Sequence, residues 1–530
     1  MKKKMLRICC AIMASVLVLA ACAQPAPPQG ADEGAQAPAG TEDSVAAGSR
    51  DELVVVMNAL PITLDPVANN DLPSARARRM VFDTLLMQDE HTLELQEGLA
   101  THWYMPNPET VELQLREGVY FHNGDPFTAE AVRVSLERAI ASPVTSSMFN
   151  SIEEIEIVDD HNVVLHLNMA FIPILNALAA NQASIVNPGA VAQAEAEGTE
   201  LADNPVGTGP LVFQEFVSGS HMTLRRNDNY WGQTTAFETL TFRGISEQAN
   251  RLIEIETGNA DIALDIAPID VPHAEASPDV EVVRGDSTSI TYIGFNMLQG
   301  VTSDIRVRHA IQHAIDLEAI VNNAYAGTSA VANSLASPFV WGYVSQEPFE
   351  FDLERAAELL EEAGFPGGEG LELSIWYNAG NQQRADISEM MQNQLRAVGI
   401  ELSVETLEWA AYLDRTANAE HDMFILGWIA GNVDPDTSLY MLLHSDNMGT
   451  PGNRTFFNNP RVDYLLDAGR SELDYEERLA IYAEIQRIVW EESPKIIGVH
   501  VEEIHAVRPG VNGFVATPNG NNRFDRVYFD

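Results

Sequence analysis

The chain has 530 residues, 77 acidic against 31 basic, for a formal net charge of −46. A surface of that sign repels phosphate backbones, which excludes nucleic acid as a partner. The length exceeds what one hydrophobic core organises and points to two or three domains.

Lys2, Lys3, Lys4 and Arg7 precede an apolar run that ends at Leu19, Ala20, Ala21 and Cys22. The run falls short of the about 20 residues that a membrane-spanning helix needs, so residues 1–21 read as a secretion signal. Its last residues, LAAC, are similar to a bacterial lipobox, which makes Cys22 the first mature residue and the lipidation site. Cys9 and Cys10 lie within the signal, so the mature chain has no disulfide. It keeps 27 basic residues against 77 acidic ones, a net charge of −50. Residues 22–50 have almost no apolar bulk and read as a flexible tether.

Beyond the tether, ELVVVMN (Glu52 to Asn58) is a continuous apolar run suited to a buried strand. Alternation follows in VELQLREG, with Val111, Leu113 and Leu115 on one face, then a turn at Asn123-Gly124 and a helix capped by Thr128. NPVGTGP predicts a rigid turn into a hairpin, and GNADIAL a Gly stop and a strand. The pattern SDIRVRHAIQHAIDLEAIVNNAYAG predicts one long helix whose Ile305, Ala310, Ile311, Ala314 and Ile315 form an apolar stripe. Helices and strands then alternate as in an α/β lobe. One helix is capped by Asp352 and stopped at Gly364, another ends at Gly399, and a last one is capped by Asp474. Met423 to Leu426 suits a buried strand that opens into the loop GNVDPDTSLY.

Local signatures of catalysis are missing. Lys495 is the one lysine of the mature chain, and its setting, ESPKII, fits neither a phosphate-binding loop nor a Schiff base. The sequence has no GxSxG, HExxH or CxxC. His309 and His313 share a helix face but have no third metal ligand nearby.

TLDP, FDTLL, GLATHW, LQLREGVYFHNGDPFTAEAV, NPVGTGP, RNDNYWG, GNADIAL, DIRVRHAIQHAID, LERAAELLEEAGF, LGW with DPD, and FFNNPRVDYLL occur in that order. Together they resemble extracellular solute-binding protein family 5, the oligopeptide, dipeptide, glutathione and nickel binders of ABC importers. The resemblance implies an α/β, two-lobed, periplasmic-binding-protein-like fold of type II with an additional inserted domain. Lobe one would combine 51–84, 203–291 and 499–530, lobe two would be 292–498, and 85–202 would be the insertion. It further implies a monomer without cofactor or enzymatic activity. That monomer, lipid-anchored at the outer face of the cytoplasmic membrane, would pass a short peptide to ABC permease subunits served by separate ATPases.

For the peptide's carboxylate, Arg384 near a helix N-terminus is the first candidate, with an ordinary surface salt bridge as the alternative. Peptide binders of this family usually carry an aspartate three residues after the tryptophan of the GW pair, where it meets the ligand's amino terminus. Here that tryptophan is Trp428 and the position is Gly431. Asp434 and Asp436 could replace it from a shifted loop, or be turn residues around Pro435. Trp409 and Trp428 could stack on the ligand or pack in the core, and Asn453 and Arg454 could reach the cleft or form a plain turn. Asn69, Asn70 and Asp71 occupy a lobe-one loop that faces the cleft in the family, and Asn296 is a candidate backbone-pairing amide. The run from LEW to FFNNPRVDYLL resembles the glutathione or oligopeptide branch. The competing readings are a nickel chelate or oligosaccharide as ligand, and a surface enzyme or adhesin.

Overall fold

A computed structural model describes residues 51–530; the signal, Cys22 and the tether lie outside the described residues. The first strand, Glu52–Met57, is the central one of a seven-stranded sheet. Thr239–Gly244 and Ile262–Ala263 flank it in parallel, so that Val55 lies between Phe242 and Ile262. Leu53, Val55, Val56 and Met57 are fully buried. A central strand covered on both faces needs apolar residues at successive positions, hence the unbroken run in place of alternation. The hairpin of Leu211–Val217 and His221–Arg226 extends one side of this sheet, and Glu503–Val507 and Glu281–Gly285 the other.

A second, six-stranded sheet is built around Ser289–Phe295, every residue of which is buried. Lys495–His500 and Met423–Ile429 run antiparallel on its two sides. Met423–Ile429, Glu372–Asn378 and Glu401–Leu407 are parallel to one another. Several predicted caps form: Asp352 accepts from the amides of Glu354 and Arg355, and Asp474 from that of Glu477. Gly364 and Gly399 take the positive φ of helix stops, +93° and +82°.

Two local expectations are corrected. The stretch predicted as one long helix forms two, Ile305–Ala314 and Leu317–Ala324. Ile315 is extended, and the Asp316 carboxylate accepts from the Ala319 amide to start a new helix. Thr128 precedes the helix Ala129–Ala141, but its hydroxyl makes no capping bond. The Ala129 amide donates instead to the Asp160 carbonyl (2.9 Å).

A four-stranded antiparallel sheet, in the order Ala100–Asn107, Thr110–Leu115, Asn162–Leu167, Ile152–Asp159, has its own core. Val111, Leu113 and Leu115 point into it and meet Val132 and Leu136 of the helix Ala129–Ala141.

The chain passes between the two large sheets at 286–288 and again at 501–502. These crossings lie side by side, since Gly285 pairs with Glu503 and Ile290 with His500. The helix Leu72–Val81 is clasped at its end by Gly207 and Gly209 of the NPVGTGP turn. A Cβ on Gly207 would lie 2.0 Å from the Val81 carbonyl oxygen. Gly207→Ala should therefore destabilise the protein by about 1–3 kcal/mol through overpacking. A thermal melt reads this as a lowered Tm, and an unchanged Tm would show that the clasp yields freely.

Candidate functional site

Both large sheets direct the carboxyl ends of their parallel strands toward one space. In the first lobe, the segments after Met57, Gly244 and Ala263 line it; in the second, those after Asn378, Leu407 and Ile429 do. Loops beyond the carboxyl ends of parallel strands are where α/β sheets bind ligands. The cavity between the lobes is about 960 Å³, at the top of the about 300–1,000 Å³ usual for small-molecule sites, so it has room for a ligand larger than a single amino acid.

The lobes are closed on each other. The Gly431 carbonyl, from the second lobe, accepts hydrogen bonds from Gln88 Nε2 and Asn519 Nδ2, both 2.9 Å. Asn70 Nδ2 donates to the Pro451 carbonyl at 3.0 Å. Gly380 lies so close to Ser246 that a Cβ there would come within 2.5 Å of the Ser246 carbonyl oxygen.

Of the residues singled out in the sequence, Asn70, Asp71, Arg384, Trp409, Trp428, Asp436 and Arg454 line the cavity. Arg384 occupies the first turn of the helix Gln382–Leu395, its amide bonded to the capping Asn381 and its Nη1 donating to Asn378 Oδ1 at 2.5 Å. It has no carboxylate partner among the described residues, so the surface salt bridge is not formed. Asp71 caps the helix Leu72–Val81 with one oxygen and keeps the other buried and unpartnered. Burial raises its pKa against the opposing effects of Ser74 and Arg78. The indole nitrogens of Trp409 and Trp428 are also buried without a partner, and Trp409 stacks on Tyr412. Arg454 donates to the Leu413 carbonyl and Thr416.

The other candidates are placed differently. Asn69 holds its own loop, donating to Ser74 and accepting from Arg78. Asn296 is buried behind the cavity, bridging the Ala419 and His421 carbonyls. Asn453 ties together the Leu443, His444 and Phe457 carbonyls. Asp434 is gripped by Arg478 (2.8 and 3.0 Å) and lies outside the cavity lining. Asp436 reaches the cavity, but Arg470 holds both its oxygens (2.8 and 3.1 Å). Neither aspartate offers a free carboxylate where Gly431 lacks one. His309 and His313 bond to the Glu491 and Glu350 carbonyls and flank Phe349.

One cluster escapes the sequence because its members are far apart in the chain. Asp265, Glu503 and His505 bring ligand-type atoms within 4.8 Å of one another, and Asp265 and Glu503 line the cavity. Arg76 holds the Asp265 carboxylate (3.0 and 3.3 Å), and the Asp265 amide donates to His505 Nδ1. The charge a cation would meet is thus already matched by a guanidinium. Glu503 accepts from Ser287, so it links the two crossings. Burial, then the charge of Asp265, pushes Glu503 up to about 7, while burial holds His505 down to about 4.

The sequence matches the family described as Bacterial extracellular solute-binding proteins, family 5 Middle, over residues 94–450, and the chain belongs to that family, the solute-binding components of ABC importers. Heme-binding protein A of Haemophilus influenzae is 28% identical over 98% of this chain and 98% of its own length. Glutathione-binding protein GsiB of Salmonella typhi is 28% identical over 89% of this chain and 94% of its own. DppA of Helicobacter pylori, solved with the peptide STSA, superposes with a TM-score of 0.86 at 28% identity, covering 91% of this chain and 98% of its own. These neighbours have the type II periplasmic-binding-protein fold, and they are binding proteins of transporters. No helix among the described residues is long and apolar enough to cross a membrane.

The folded-state pKa of Glu503, about 7, lies above its ordinary 4.5. The native state therefore holds this proton more tightly than the unfolded chain, and the associated stability, complete below pH 4.5, is lost as pH rises through 7. Glu503→Gln should flatten the Tm profile across that window and match or exceed the parent's Tm above it. A profile superimposable on the parent's would refute this.

Proposed function

We propose that the protein captures short peptides in the interlobe cleft and delivers them to an ABC permease, held outside the membrane by a lipid on Cys22 and the tether. The observation that carries this reading is Arg384. A guanidinium without a carboxylate partner faces a closed, peptide-sized cavity from the first turn of a helix, where the helix end also favours an anion. The peptide's C-terminal carboxylate fits there. The unpaired oxygen of Asp71 then remains on the opposite lobe to accept from the amine, and Trp409 and Trp428 offer indole N–H donors to its backbone.

Relatives named for glutathione and for peptides support this ligand class. Among the described residues no histidine lines the cavity, so a nickel chelate there would bring its own nitrogen ligands. Relatives that are binding proteins of transporters support a binding role.

Mass spectrometry of ligand released from the purified protein by denaturation tests the reading: short peptides support it, and a sugar overturns it. Arg384→Ala should weaken binding of such a peptide by about 10- to 100-fold, the scale of a charge-assisted hydrogen bond; unchanged affinity in calorimetry would remove Arg384 as the anchor. A second variant tests the missing aspartate. A Cβ on Gly431 would meet only Thr437 Cγ2, at 3.7 Å, so the position accepts a side chain. Gly431→Asp should improve the affinity of peptides with a free amino terminus over their N-acetylated forms by about tenfold, and equal gains for both forms would argue against an amine site there.

A further inference from the structure

Arg76, Arg78 and Arg79 crowd one short helix, Leu72–Val81, and the fold uses them differently. Arg76 binds the Gly520 carbonyl and the Asp265 carboxylate. Arg78 donates to the Asp65 and Asn69 carbonyls and to Asn69 Oδ1. Arg79 has neither a hydrogen bond nor an ion pair among the described residues. It lines the cavity with Leu72 and Ala75, and the spacing of three and four residues puts all three on the helix face toward the cleft.

The carboxylates near it act on it by charge and not by contact. The carboxylates whose charge reaches it are Glu90, Asp525 and Asp83. Asp83 accepts from Thr208, Tyr230 and Trp231. Asp525 is bidentate with Arg523, and Glu90 lies between Arg523 (3.9 Å) and Arg526 (3.8 Å). Burial and then the charge of Arg523 push the Arg79 guanidinium down to about 10, so it is still a cation at neutral pH. The other arginines of the lining are all engaged: Arg251 by four backbone carbonyls, Arg454 by Leu413 and Thr416, Arg470 by Asp436, Arg384 by Asn378. A guanidinium presents five donors and no acceptor. On the cavity wall these donors are open to an acceptor that arrives with the ligand.

We infer that Arg79 is the cation of a second anion subsite, on the first-lobe wall of the cleft, which receives a ligand carboxylate other than the one at Arg384. The inference rests on the peptide reading and narrows it. Two guanidinium groups, one on each lobe, with no carboxylate on the Gly431 loop to attract an amine, select a peptide bearing two carboxylates. Such a ligand bridges the lobes by charge at both ends. The amide of Asn181, bonded to Asn521 and lining the cavity beside Arg79, closes the subsite.

The test compares ligands released by denaturation from the parent protein, Arg79→Gln and Arg79→Lys. Because the Arg79 side chain makes no hydrogen bond or ion pair among the described residues, Arg79→Gln removes none of those and should keep the parent's Tm. The parent should release species with two carboxylates. Arg79→Gln should lower their share against single-carboxylate species by about tenfold, and Arg79→Lys, which keeps the charge, should retain most of it. An unchanged set from Arg79→Gln overturns the subsite while peptides in that set leave the peptide reading standing. Non-peptide dicarboxylates that disappear from Arg79→Gln would do the reverse, upholding the subsite and ending the peptide reading.

Discussion

Two lobes joined by two adjacent crossings, at 286–288 and 501–502, can swing only about that seam, and the rest of the structure is arranged around this constraint. The seam is tightly packed. A Cβ on Gly285 would lie 2.8 Å from the Ala516 carbonyl oxygen, Ser337 donates to the Ser287 carbonyl, and Thr288 Oγ1 donates to the Ala430 and Pro518 carbonyls. Bending is thereby confined to a few residues, while each sheet keeps its own core. Across the cleft the direct links include the two amides on the Gly431 carbonyl, Asn70 on Pro451, Gln248 accepting from the Gln382 amide, Arg470 donating to the Ser147 carbonyl, and the Ile172 amide donating to the Arg470 carbonyl. At a net of about 0.5–1.5 kcal/mol each, they favour closure without enforcing it. A ligand touching both walls adds the difference on which a population shift depends.

Gly431 changes character in that setting. Where the family's peptide binders place an aspartate for the ligand, this chain has a residue whose carbonyl receives two amides of the opposite lobe. The loop therefore serves lobe-to-lobe contact. The aspartates that follow it, Asp434 and Asp436, neutralise Arg478 and Arg470. Those pairs are buried, and removing one partner from such a pair is far more damaging than the pair is stabilising. They fix the loop that presents Gly431.

What the sequence shows and what it conceals divide along chain distance. Strands in covered sheets are visible as apolar runs, as at Leu53 to Met57, and caps such as Asp352 and Asp474 are visible because cap and amide are two or three residues apart. The break at Ile315 hides inside a continuous apolar stripe, since Asp316 suits a helix surface as well as a cap. The cleft is assembled from segments between residues 58 and 521. Nothing local distinguishes Asn296 or Asn453, which brace carbonyls, from Asn70, which reaches across to Pro451. The ion pairs of Asp434 and Asp436 join partners 44 and 34 residues away. Only the crowding of arginines in SARARRM hints at the first-lobe wall.

Charge ties these observations together. In a chain with 77 acidic residues, a long-range field does little to draw in an anionic ligand, and at physiological salt it fades within about 8 Å. Selection then depends on contact inside the cleft, where the surrounding protein lowers the dielectric and a guanidinium interacts more strongly than at the surface. Arg384 lines that space from the second lobe and Arg79 from the first, neither with a carboxylate in contact among the described residues. A ligand with two anionic groups that reaches both walls attracts each guanidinium, so its differential contacts with the closed form stabilise closure around cargo.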